Sequence, residues 1–136
     1  MKIKKIVILI GLLYLTSMNS ANADDWLKIQ NGWYINPKSI KKYQSRFSFN
    51  DRKTIWVKIT DPKFMKDKEA NMTLVNSLID CNTNKTAIET VVSYYDSRNP
   101  ESETLNEYQL NWSSIVPDTV GEFLFRLVCK GDLNEI

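Results

Sequence analysis

Histidine is absent from all 136 residues. That absence excludes Ser-His-Asp and Cys-His catalytic arrangements, imidazole-based zinc sites and the commonest general base. Glycine is scarce as well: beyond Gly11 there are only Gly32, Gly121 and Gly131, too dispersed for a phosphate-cradling loop. With two cysteines in the whole chain, Cys81 and Cys129, a metal site would have to be built from carboxylates. No stretch alternates Asp or Asn with a glycine as a calcium loop requires, so neither metal nor cofactor is expected. The carboxylate pairs Asp24-Asp25, Asp67/Glu69 and Glu101/Glu103 sit in polar stretches without apolar neighbours to raise a pKa, and read as solvated charge. An enzyme working through carboxylates has no motif behind it, and the chain reads as a non-enzyme.

What is present begins with a short basic segment, Met1 to Lys5, followed by an apolar run from Ile6 to Leu15 and a polar stretch ending in Ala21-Asn22-Ala23. This order is that of a secretory signal cleaved after Ala23, which divides the chain into a signal at 1–23 and a single domain at 24–136. The apolar run is shorter than the roughly 20 residues a membrane span needs, so no stable span is expected after cleavage. No cysteine lies near the cleavage point to accept a lipid. The signal carries Lys2, Lys4 and Lys5 out of 18 basic residues, leaving 15 against 16 acidic ones and a net charge of −1. That balance does not fit a dedicated nucleic-acid binder, whose affinity rests on a clustered positive footprint.

Export sets how the cysteines are read. An even pair entering an oxidising compartment pairs by default, and a reactive thiol would lack the histidine that usually activates it.

Period-two segments dominate the mature chain. Trp26–Ile29 and Trp33–Ile35 flank Asn31-Gly32, a strong hairpin signal. Asn36-Pro37 is expected to break the second strand, with one helical turn at Lys38-Ser39-Ile40. Thr54 to Thr60 alternates, placing Ile55, Val57 and Ile59 on one face and Trp56 and Lys58 on the other. Met72–Cys81 and Thr86–Tyr95 form a strand pair around Asn82 to Lys85, and Thr104–Leu110 is a weaker strand candidate. The four prolines are expected between elements.

The last element has a helical period. Val120, Phe123, Leu124, Leu127 and Val128 recur at i, i+3, i+4, i+7 and i+8, Thr119 and Glu122 have capping-box spacing, and Gly131 is a stop. Cys129 lies about 180° from Val120 on this wheel. The helix should therefore dock Val120, Phe123, Leu124 and Leu127 on the sheet, with its last turn bent or frayed so that Cys129 reaches its partner.

Asp25-Trp26, Tyr34-Ile35-Asn36-Pro37-Lys38-Ser39-Ile40, Ile55-Trp56-Val57, Ile79-Asp80-Cys81, Tyr94-Tyr95-Asp96, Trp112 through Glu122 and Val128-Cys129 occur in this order along nearly the whole mature chain. Together they resemble the surface-adhesin protein E family, small exported proteins of Gram-negative bacteria. The resemblance implies an α+β fold: an antiparallel sheet of about five or six strands with a C-terminal helix packed on it and tied by a Cys81–Cys129 bond. It also implies adhesion to host extracellular-matrix proteins. The matched Trp26, Trp56, Trp112 and Pro117 have the character of architecture rather than contact.

The segment Lys38 to Lys53 holds six basic residues against Asp51 alone, interleaved with Tyr43, Phe47 and Phe49. Lys41, Lys42, Tyr43, Arg46, Phe47, Arg52 and Lys53 form the candidate partner-binding loop, suited by charge and stacking to a protein or an anionic partner. The competing reading is a solvated hairpin with its aromatics packed inward. Asp96 to Glu107 is the acidic counterpart, and the two patches would suit self-association as a dimer. The expected function is an exported, non-enzymatic binding module in the periplasm or at the cell surface. The alternative is a periplasmic structural or accessory protein of an envelope complex.

Overall fold

The computed structural model describes residues 25–132, so the expected signal at 1–23 lies outside the described residues. Seven strands follow in order: β1 Leu27–Gln30, β2 Trp33–Lys42, β3 Arg52–Ile59, β4 Met72–Asp80, β5 Lys85–Tyr94, β6 Glu101–Thr104 and β7 Ser113–Ser114. A helix, α1, spans Val120–Lys130, and single 3-10 turns lie at Pro62–Phe64 and Glu107–Gln109. The strands make one antiparallel sheet in the order β1-β2-β3-β4-β5-β6, with β7 also paired to β5. Along that path every neighbour is the next strand in sequence, and only β7 returns out of order to pair with β5. At the first turn Gly32 adopts φ +75°, and a Cβ there would come within 2.5 Å of Asp61 Cβ. Only glycine fits that position.

Alternation in β3 puts Ile55, Val57 and Ile59 in the core, with Val57 opposite both Ile35 of β2 and Val75 of β4. α1 lies across β3 and β4 on this face and closes the core with Leu124, Leu127 and Val128. On the other face, Leu78 and Ala87 are opposite each other and also buried.

The structure departs from the sequence expectations in several places. Pro37 does not end β2: the strand carries it in a bulge, where five residue steps from Asn36 to Lys41 oppose two steps from Trp56 to Thr54. Ser39 makes this possible, because its Oγ donates to Asn36 O at 2.6 Å and accepts from Trp56 N at 2.9 Å. A hydroxyl thus stands in for the missing ladder partner, and there is no helical turn at 38–40. The weak strand is displaced to Glu101–Thr104, and Glu107–Gln109 is a 3-10 turn in which Gln109 Oε1 accepts from Asn106 N at 2.9 Å.

The helix docks Leu124 and Leu127 in the core with Val120 and Phe123 packed against it, as expected, and the apolar contact extends further, to buried Val128 and to half-buried Phe125 and Cys129. The last turn neither bends nor frays: Gly131, at φ +66°, ends it with N–H bonds to Arg126 O and Leu127 O. Cys129 reaches Cys81 from a regular helix, at a Cα–Cα distance of 5.6 Å, because the apolar arc is broad enough to cover both flanks. At the other end Thr119 Oγ accepts from Glu122 N, while Glu122 Oε2 accepts from Asp118 N at 2.7 Å, one residue earlier than a capping box requires.

Candidate functional site

The basic segment forms the end of β2, the β2–β3 loop and the start of β3, at the same end of the sheet as the disulfide. The fold divides it in two. The inner residues are committed to the structure. Arg52 Nε lies 2.9 Å from Asp80 Oδ2, its guanidinium is 3.5 Å from Glu107 Oε1, and it stacks over Trp112 at 4.5 Å. Lys53 donates to Val128 O at 3.3 Å, meeting a carbonyl in the last turn of α1. Tyr43 pairs through its backbone with Arg52 O, and its phenol is pushed up by burial and by the nearby Glu107 and Glu89.

The centre of this end is Asp80, which is 1% exposed. Its carboxylate accepts from Asn50 Nδ2, Arg52 Nε, Asn82 N and Thr83 N, so one buried charge fixes the loop, the strand and the β4–β5 turn together. Burial raises its pKa, but the bonds from Asn50, Arg52 and Thr83 outweigh that and hold the carboxyl down at about 2. The next residue is Cys81, whose N–H donates to Asp51 O at 2.8 Å. Asp80 was not among the residues singled out from sequence. The signal for it is Asp-Cys-Asn-Thr-Asn, an Asx-rich turn directly after an apolar strand.

Glu107, from the acidic stretch, reaches the same place. It accepts from Ser45 Oγ through Oε1 and from Arg46 N at 2.9 Å through Oε2. Burial raises its pKa, and the bonds from Ser45 and Arg46 with the nearby Arg52 bring it below the ordinary value. Acidic and basic stretches therefore meet within one molecule at Glu107. Ser45 Oγ in turn accepts from Phe47 N and Ser48 N, Ser48 Oγ accepts from Asn50 N, and Asn82 Oδ1 accepts from Asp51 N.

The outer residues are left by this scaffold in solvent. Lys41, Lys42 and Arg46 are exposed, and among the described residues none of them enters an ion pair. Phe47 is 74% exposed and Phe49 wholly so, which corrects the expectation that these aromatics pack inward. Tyr108, 75% exposed, joins Phe47, Tyr43 and Arg46 along a groove of about 460 Å³. Lys38, at the bulge, is paired with Asp25 at 2.6 Å instead.

Elsewhere, Arg98 stacks over Tyr95 at 3.9 Å and lies 3.4 Å from both Asp67 and Glu69, so that carboxylate pair shares one cation at the surface. Among the described residues there is no group of three or more metal-ligating side chains, and no helix is long and apolar enough to cross a membrane. The family model described as surface-adhesin protein E matches residues 26–130. No curated protein and no solved structure matches the chain.

Proposed function

Because the chain belongs to the surface-adhesin protein E family, we propose that it is an exported, non-enzymatic binding module displayed at the cell surface, with residues 1–23 removed on export. Its binding surface is the exposed end of β2, Lys41 and Lys42, with Arg46 and Phe47 of the β2–β3 loop, joined by Phe49 and Tyr108. Tyr43, Arg52 and Lys53 hold that surface in place. The observation that carries the reading is a loop whose backbone is fixed by hydrogen bonds while two phenylalanines and three cations face solvent. Folding gains nothing from exposed phenyl rings, whereas a contact surface gains apolar area and charge together. Host matrix proteins are the partner class that the family brings with it.

Protease shaving of intact cells tests this. Cleavage of the protein on intact cells is expected. Cleavage only after the outer membrane is opened would remove adhesion and leave the periplasmic accessory role.

A further inference from the structure

We infer that the tip of the β2–β3 loop docks on an anionic lipid bilayer, with Phe47 and Phe49 entering the interface and Lys41, Lys42 and Arg46 meeting lipid phosphates. This rests on the reading of that loop as the binding surface and names what the surface contacts.

Three observations lead there. First, the apolar groups protrude. Phe49 has its full surface in solvent and Phe47 most of it, with Tyr108 exposed along the same groove. A protein partner would need a preformed pocket for each ring, whereas a fluid interface accepts protruding aromatics without shape complementarity. Second, the tip is presented rigidly, since Ser45, Ser48 and Asn82 accept from the N–H groups of Phe47, Ser48, Asn50 and Asp51. Exposure of the rings follows from the loop's own bonding. Third, the charge is complementary. Among the described residues Lys41, Lys42 and Arg46 have no ion pair, and the neighbouring acids are occupied. Asp80 is buried against Arg52, Glu107 is held by Ser45, Arg46 N and Arg52, Asp51 lies 3.8 Å from Lys53, and Glu89, which lines the same groove, accepts from Asn76 Nδ2 at 3.1 Å. With Arg52 and Lys53 included, five cations stand against Asp51, Asp80, Glu89 and Glu107, so this end carries a net charge of 5 − 4 = +1 with its free cations outermost, and each such cation near an anionic leaflet strengthens attachment roughly fivefold. Two phenyl rings and three cations give reversible attachment, not permanent insertion.

Co-sedimentation of the disulfide-bonded exported chain with vesicles containing about one third phosphatidylglycerol, against pure phosphatidylcholine, tests the inference. Binding to the anionic vesicles alone is expected. Phe47→Ser with Phe49→Ser should lower the partition coefficient at least tenfold, and Lys41→Gln with Lys42→Gln by roughly 25-fold at low salt. The lysine effect should shrink at about 0.5 M salt. The two pairs are independent readings should either variant fail to fold. A parent chain that ignores anionic vesicles, or variants that sediment like the parent, would overturn the inference. The same variants assayed on an immobilised extracellular-matrix preparation separate the readings. Loss there without vesicle binding sinks the lipid inference alone, and parent-like behaviour in both assays sinks the loop as a binding surface too.

Discussion

The base of the β2–β3 loop and its tip are a few residues apart, yet their surroundings are opposite. Arg52 is closed in between Asp80, Glu107 and Trp112, while Phe49, three positions earlier, touches solvent on every side. The same kinds of residue, cations and aromatics, serve both places. What differs is the partner each side chain meets: at the base, carboxylates and carbonyls supplied by β4, α1 and the 107–109 turn; at the tip, solvent over most of both phenyl rings. The base is where the disulfide, the Asp80 bonds and the end of α1 converge, so stability should concentrate there and be nearly absent at the exposed phenyl rings of the tip.

Substitutions can break or sharpen that contrast. The largest effect should come from replacing Cys81 and Cys129 together by Ser: the bond closes a separation of 48 residues, and its loss is expected to cost about 4 kcal/mol by loop entropy, read from urea unfolding. Asp80→Ala should follow at about 3 kcal/mol, because it leaves Arg52 and two backbone N–H groups of the turn without their acceptor. The titration of Asp80 gives a third effect. Its folded pKa, about 2, is below the value near 3.8 of a free carboxyl, so its contribution is complete above pH 4 and is lost as pH falls towards 2. That decline should amount to about 2 kcal/mol in unfolding experiments and be missing in Asp80→Asn. An Asp80→Asn protein with the same acid dependence as the parent would place the sensitive group elsewhere.

The elements were legible where one local signal dominates. Asn31-Gly32 marks its hairpin, Ile55, Val57 and Ile59 mark the buried face of β3, and Thr119 and Gly131 bound the helix. Pro37 was misleading because its accommodation depends on Ser39, two residues away, bonding to a strand reached only in the fold. The helix stripe was assigned from the wheel alone, and the wheel carries no information about which flank the sheet will cover. The basic loop is legible in composition but not in direction. Nothing local distinguishes Tyr43 from Phe47, or Arg52 from Arg46, since the carboxylates that draw Arg52 inward, Asp80 and Glu107, are 28 and 55 positions further along the chain.

The smallest expected effect is also the most telling, because the account rests on the exposed phenyl rings contributing nothing to the fold. The measurement is the unfolding free energy of the Phe47→Ser, Phe49→Ser double variant beside the parent. It is predicted to match the parent within about 0.5 kcal/mol, as substitutions at open surface positions do. A loss of about 3 kcal/mol or more, the scale of removing a buried aromatic, would contradict the account and return the rings to the core of the molecule.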